Sequence, residues 1–168
     1  MRMNKLRRIG LVLLVLAVCV GFDQVTKDIA RRSLAASAPV SWLDDSVRFE
    51  YTENAGAFLG LGSNLPRDVR FLLLVIFTSA MLLLLVGFAL SARHLSLAQW
   101  TGLSLLAGGG VGNLIDRIFN DGVVIDFVRL RLGPLRTGIF NVADVAIVVG
   151  TLLLLASAIE ERQTASVQ

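Results

Sequence analysis

The sequence predicts an α-helical integral membrane protein, with four transmembrane helices and a small β-sheet and loop region at the outer membrane-water interface. Three observations carry that prediction. Of 168 residues, 55% are hydrophobic and 17% charged, with a mean hydropathy of +0.71, whereas soluble domains carry about 25% charged residues. Four apolar runs approach or reach the roughly 20 residues needed to cross a hydrocarbon core. Two of the segments between them alternate apolar and polar residues, the period of a half-buried strand. A chain of this length reads as a single transmembrane domain, 1–168.

The first run, Ile9 to Phe22, follows the basic residues Arg2, Lys5, Arg7 and Arg8. A basic flank before a short apolar run also describes a secretory signal peptide, and Leu16-Ala17-Val18-Cys19 approximates a lipobox. Val18 is bulky where a small residue should precede the cysteine, and three more spans follow, so the run reads as a retained helix over about 9–30. The outer segment 31–70 contains Val47-Arg48-Phe49-Glu50-Tyr51-Thr52, which alternates as a strand does. Gly56, Gly60 and Gly62 give this segment places to hinge, and Trp42 and Tyr51 suit an interfacial anchor. The second span, 71–90, holds only Thr78 and Ser79 as polar residues. The third, 97–115, contains Gly102, Gly108, Gly109, Gly110 and Gly112, which permit close approach of another helix, of the protein or of a substrate. The outer segment 116–138 includes a second alternating stretch, Val128-Arg129-Leu130-Arg131-Leu132. The fourth span, 139–159, takes its polar residues Asn141 and Asp144 at one end.

Four crossings put both termini on one side, and the basic N-terminal flank with Arg93 assigns that side to the cytoplasm. The net charge of +3 and a pI of about 9.7 come without a long Lys/Arg run, which points to membrane orientation and not to nucleic acid. One cysteine excludes an internal disulfide framework, and the lone His94 makes neither a metal centre nor a Ser-His-Asp triad. Chemistry therefore falls to carboxylates.

Ionisable groups in or beside a bilayer are costly and mark function, and here they gather at the outer ends of the spans. Asp23 and Lys27 stand four apart and pair on one face. Asn113, Asp116 and Arg117 cluster at the end of the third span, with Asp116 and Arg117 a second candidate ion pair. Asn141 and Asp144 share a face three apart. Asp126 and Asp144 differ from the rest because apolar residues surround them, and the nearest base in sequence is Arg129, three after Asp126. Two poorly solvated carboxylates that approach each other share a proton, so one activates water while the other protonates a leaving amine.

The motifs Asp23-Gln24-Val25-Thr26-Lys27, Asn54-Ala55-Gly56-Ala57-Phe58, Gly112-Asn113-Leu114-Ile115-Asp116-Arg117, Val124-Ile125-Asp126-Phe127 and Phe140-Asn141-Val142-Ala143-Asp144 occur in this order across the chain. Together they resemble the bacterial lipoprotein signal peptidase (signal peptidase II) family. The one departure is the Asn54 motif, which lacks the family's second alanine before the phenylalanine. The resemblance implies an intramembrane aspartic endopeptidase that removes the signal peptide from diacylglyceryl-modified prolipoproteins, immediately before the lipidated cysteine. It implies Asp126 and Asp144 as the catalytic dyad, with Asn54, Gly56, Asn113, Arg117 and Asn141 lining the site or holding substrate. Asp23, Lys27 and Asp116 are implied as support. It further implies no metal or organic cofactor, contact with membrane lipid, inhibition by globomycin-type peptides, and a site near the outer leaflet of the bacterial inner membrane.

Two rival classes make different predictions. A transporter or ion pathway calls for acidic residues near mid-membrane, and the centres of the second and fourth spans, around Leu83 and Thr151, hold none. A structural assembly subunit would tolerate Asp126→Asn, because asparagine keeps size and hydrogen bonding.

Overall fold

The computed structural model describes residues 5–57, 60–92 and 94–166, so the expectations placed on Arg2, Phe58 and Arg93 lie outside the described residues. In chain order the elements are α1 (Lys5–Leu34), β1 (Val40–Trp42), β2 (Val47–Asn54), α2 (Arg67–Ser91), α3 (Leu97–Phe119), β3 (Val124–Leu132), β4 (Leu135–Arg136) and α4 (Val142–Ser166).

Helix α1 is unbroken through Leu16-Ala17-Val18-Cys19 and ends at Leu34, four residues beyond the expected end of the helix at about 30. Its last turn carries Arg31 and Arg32 at the negative end of the helix dipole, where positive charge is favoured. Helix α2 contains one π-helical stretch, Leu72–Phe77, before returning to α-helix at Thr78. Helix α4 starts at Val142, three residues after the apolar run begins. Phe140 is held instead by the sheet, bridging to Val128 through N–H to O contacts of 2.8 and 3.0 Å.

Helices α1, α2 and α4 are each long and apolar enough to cross a membrane. Helix α3 has 23 residues and packs among the other three, so it buries more of its surface against protein than they do. Its small residues are there for packing between the chain's own helices. A Cβ added at Gly108 would stand 2.7 Å from Cys19 Cβ on α1, one at Gly110 2.6 Å from a Leu82 methyl on α2, and one at Gly102 2.9 Å from the Gly150 carbonyl on α4. The sequence left open whether these glycines admit a substrate helix, and these contacts assign them to the bundle. Leucines such as Leu13, Leu83 and Leu152 point away from the bundle, as lipid-facing side chains do.

At the end of the bundle opposite the carboxylates, Arg8 Nη1 donates to the Ala92 carbonyl at 3.0 Å. The same guanidinium lies 5.7 Å from the centre of the buried Trp100 ring. A capping box between Ser96 and Gln99 starts α3 there.

The four strands form one antiparallel sheet in the order β1-β2-β3-β4. Strand β3 is longer than its alternating stretch because Val124–Phe127 are buried on both faces, which erases the period-two signal. The pairing of β2 with β3 shifts by one residue between Phe49 and Thr52. Before this bulge Phe49 opposes Val128, and after it Thr52 opposes Asp126. The extra residue turns Thr52 and Asn54 onto the face that carries Asp126.

Candidate active site

The ionisable residues meet at one end of the bundle from four elements, Asp23 and Lys27 on α1, Asp116 and Arg117 on α3, Asp126 on β3 and Asp144 on α4. Asp126 stands on β3, 2% exposed, and accepts hydrogen bonds from Asn54 Nδ2 at 2.9 Å and Asn141 Nδ2 at 2.7 Å. Asn54 reaches it only because of the β2 bulge. Its own Oδ1 accepts the Gly56 N–H at 3.0 Å, which pins the loop that follows.

Asp144 lies in the first turn of α4, where a carboxylate suits the positive end of the helix dipole. Asn141 precedes the helix and caps it: its Oδ1 accepts the Asp144 N–H at 2.9 Å, while Asp144 Oδ2 accepts the Asn141 N–H at 3.2 Å. This reciprocal pair is a capping box built from Asn and Asp. It leaves the Asn141 amide nitrogen free to face Asp126, so one side chain binds both aspartates. The other Asp144 oxygen accepts Asn113 Nδ2 at 2.9 Å.

Behind these residues lies a second layer of charge. Lys27, 2% exposed, contacts Asp23 at 2.8 Å, Asp116 at 3.0 Å and Asn113 Oδ1 at 3.0 Å, which uses all three of its donors. Asp23 also accepts the Ala143 N–H at 2.9 Å, and Asp116 the Ile125 N–H at 3.0 Å. Burial pushes the Asp126 carboxyl up to about 6. The amide donors of Asn54 and Asn141 oppose that rise, and the charge of Asp144 adds to it.

A cavity of about 570 Å³ opens against this layer. Asn54, Asn113, Arg117, Asp126 and Asp144 form its polar end, and the remainder is chiefly apolar, with Leu74 and Thr78 from α2 and Ile147 and Val148 from α4. Arg117 spans its rim, with Nη2 donating to the Gly56 carbonyl at 2.8 Å.

The same order of motifs is what a family comparison reads. The sequence model of the family described as Signal peptidase (SPase) II matches residues 15–160. The chain belongs to this family. It is 33% identical over 150 residues to the lipoprotein signal peptidase of Treponema denticola, covering 87% of each chain. With the lipoprotein signal peptidase of Mycolicibacterium smegmatis it shares 35% identity over 156 residues, 89% of this chain and 61% of that relative. A bacterial membrane enzyme solved by the in meso method at 2.3 Å resolution superposes with a TM-score of 0.81 at 28% identity, covering 93% of this chain and 92% of that one. This signal peptidase II chain is therefore a peptidase and a bacterial membrane protein.

All ten residues singled out in the sequence meet in one hydrogen-bonded network of the peptidase, with one partner reassigned. Asp116 pairs with Lys27 and not with its neighbour Arg117, because adjacent helical residues point about 100° apart while Lys27 faces Asp116 across the α1–α3 contact. Arg129 sits on the opposite sheet face from Asp126 and binds Glu50 at 2.9 Å. One residue of the network escaped sequence reasoning. Gln24 Nε2 donates to Asp116 Oδ1 at 2.9 Å and to the Gly112 carbonyl at 3.2 Å. Its signal was its place inside the Asp23–Lys27 motif, on the α1 side that faces α3.

Proposed function

We propose that this signal peptidase II cleaves the signal peptide from diacylglyceryl-modified prolipoproteins immediately before the lipidated cysteine, with Asp126 and Asp144 as its catalytic dyad and water as nucleophile. The observation that supports this reading is the placement of two aspartates from separate elements, bridged by Asn141, at the polar end of a cavity that is otherwise apolar. An apolar cavity beside two carboxyls accepts a peptide carrying acyl chains and presents its backbone to acid-base chemistry.

Two carboxyls in one desolvated site share a proton, and in this reading Asp126, whose carboxyl burial pushes up to about 6, carries it. Asp144 then takes a proton from water as it attacks the scissile carbonyl, and the proton on Asp126 passes to the departing amine of the cysteine. Arg117 and Gly56, joined across the rim, hold the substrate backbone together with Asn54. Asn113 and Asn141 keep the two carboxyls oriented. Globomycin-type cyclic peptides occupy the same cavity, and membrane lipid covers its apolar side. Both termini lie in the cytoplasm and the site lies near the outer leaflet, consistent with Arg7 and Arg8 at the end of α1 away from the dyad.

The direct test compares a diacylglyceryl-modified precursor with its unmodified form on purified protein in detergent. The modified precursor is cleaved at the cysteine with kcat/KM at least about 100-fold higher, since acyl burial contributes about 0.8 kcal/mol per methylene. Equal rates would remove lipid recognition from the function.

A pH profile tests the proton assignment. Asp126 is protonated below about 6 and loses its proton as pH rises through that value, so kcat/KM falls on the alkaline side with a midpoint near 6. The midpoint belongs to the pair and not to one residue. A bound substrate excludes water and favours the neutral carboxyl further, so the matching limb of kcat lies at higher pH. An alkaline limb of kcat below that of kcat/KM would contradict this.

A further inference from the structure

The backbone just before each aspartate of the dyad is gripped by a carboxylate from another helix. Asp23 Oδ1 on α1 accepts the N–H of Ala143, the residue preceding Asp144, at 2.9 Å. Asp116 Oδ2 on α3 accepts the N–H of Ile125, the residue preceding Asp126, at 3.0 Å. One ammonium, that of Lys27, binds both gripping carboxylates at 2.8 and 3.0 Å and gives its third donor to Asn113, which in turn holds Asp144. We propose that Asp23, Lys27 and Asp116 are positioning residues, a buried clamp that sets the spacing of Asp126 and Asp144. The proposal rests on the reading of those two residues as the dyad.

Physical economy argues for such a role. Three fully buried charges are a poor way to stabilise a fold, since apolar packing of similar volume does as well or better, and the best-attested use of buried charge is to fix register. Here the register in question is that of β3 and of the α4 N-terminus, which the Phe140–Val128 bridge joins to each other and which the lysine, through Asp23 and Asp116, ties to α1 and α3. Gln24 braces the clamp by donating to Asp116. Gly112 leaves it room, because a Cβ there would stand 2.6 Å from Asp23 Oδ2.

The test separates the hydrogen-bond acceptor from the charge. Asp116→Ala removes the acceptor for the Ile125 N–H and lowers kcat about 100-fold, the cost of a misplacement near 1 Å, with KM little changed. Asp116→Asn keeps an oxygen for that N–H, and Gln24 can turn its amide to match the new amino group, so kcat stays within about tenfold of the parent. Gly112→Ala changes no charge, retains a helix-compatible residue and displaces Asp23, so it also lowers kcat with KM retained. Unfolding midpoints in detergent confirm that each variant is folded before its rate is read.

Parent-like kcat in Asp116→Ala or in Gly112→Ala overturns the clamp, and so does an equal loss in Asp116→Ala and Asp116→Asn. Failure of the unaltered chain to cleave lipid-modified precursor would overturn the dyad reading itself, and the clamp with it.

Discussion

Asp126→Asn and Asp144→Asn each lower the rate of prolipoprotein cleavage by about 10³-fold or more, the scale on which positioned acid-base groups act. Asparagine has the size of aspartate but can neither hold a transferable proton nor accept one from water. At position 126 it also meets two amide donors, Asn54 and Asn141, where the carboxyl accepted both. One of those contacts becomes donor against donor, a local cost of about 1–3 kcal/mol that leaves the four-helix framework in place. At position 144 the loss is of the same kind, because asparagine oxygen can keep either the Asn113 or the Asn141 contact but not both. Purified variants assayed on lipid-modified precursor, with folding followed by unfolding midpoint, separate chemistry from stability. A near-normal rate in either variant would sink the dyad and favour a protein whose polar cluster only locks helices together.

Lys27→Met destabilises the folded protein by about 3–5 kcal/mol, because removing one partner of a buried ion pair leaves the others uncompensated. Methionine fills the lysine stem but supplies none of the three donations to Asp23, Asp116 and Asn113. The two carboxylates then face each other without a cation, and one must take up a proton or admit water. Adding Asp116→Asn to Lys27→Met removes one of those charges and restores part of the loss, a coupling that a double-mutant cycle measures. Denaturant unfolding in detergent reads both effects. A loss under about 1 kcal/mol for Lys27→Met would mean that the triad is solvated as an exposed pair is, contrary to its burial.

Much of this site is legible in the sequence because each element announces its own residues. Asp23 and Lys27 pair through helical spacing, and the structure keeps that pair. Asn141 and Asp144 stand three apart at the head of an apolar run, which is the spacing of a helix cap, and they form one. The β2 bulge was not legible, since a two-against-one mismatch in a ladder depends on the partner strand as much as on the bulged one. Without it Asn54 would face away from Asp126. The partner of Asp116 differs for a related reason: sequence proximity favours Arg117, while geometry favours Lys27. Helix α4 starts three residues later than its apolar run because Phe140, as apolar as the helix, bridges to the sheet.

By itself the sequence determined which segments lie in the membrane, where its few charges collect and which family's motifs it carries. Those properties are local: hydropathy accumulates residue by residue, and a motif is read along the chain. Only the tertiary structure decided which carboxyl meets which donor, that one lysine serves two aspartates from different helices, and that one asparagine bridges Asp126 to Asp144. The deciding contacts join distant residues, 15 positions apart for Asn141 with Asp126 and 120 apart for Asp23 with Ala143. Desolvation by the surrounding helices, which no local pattern records, gives them their strength.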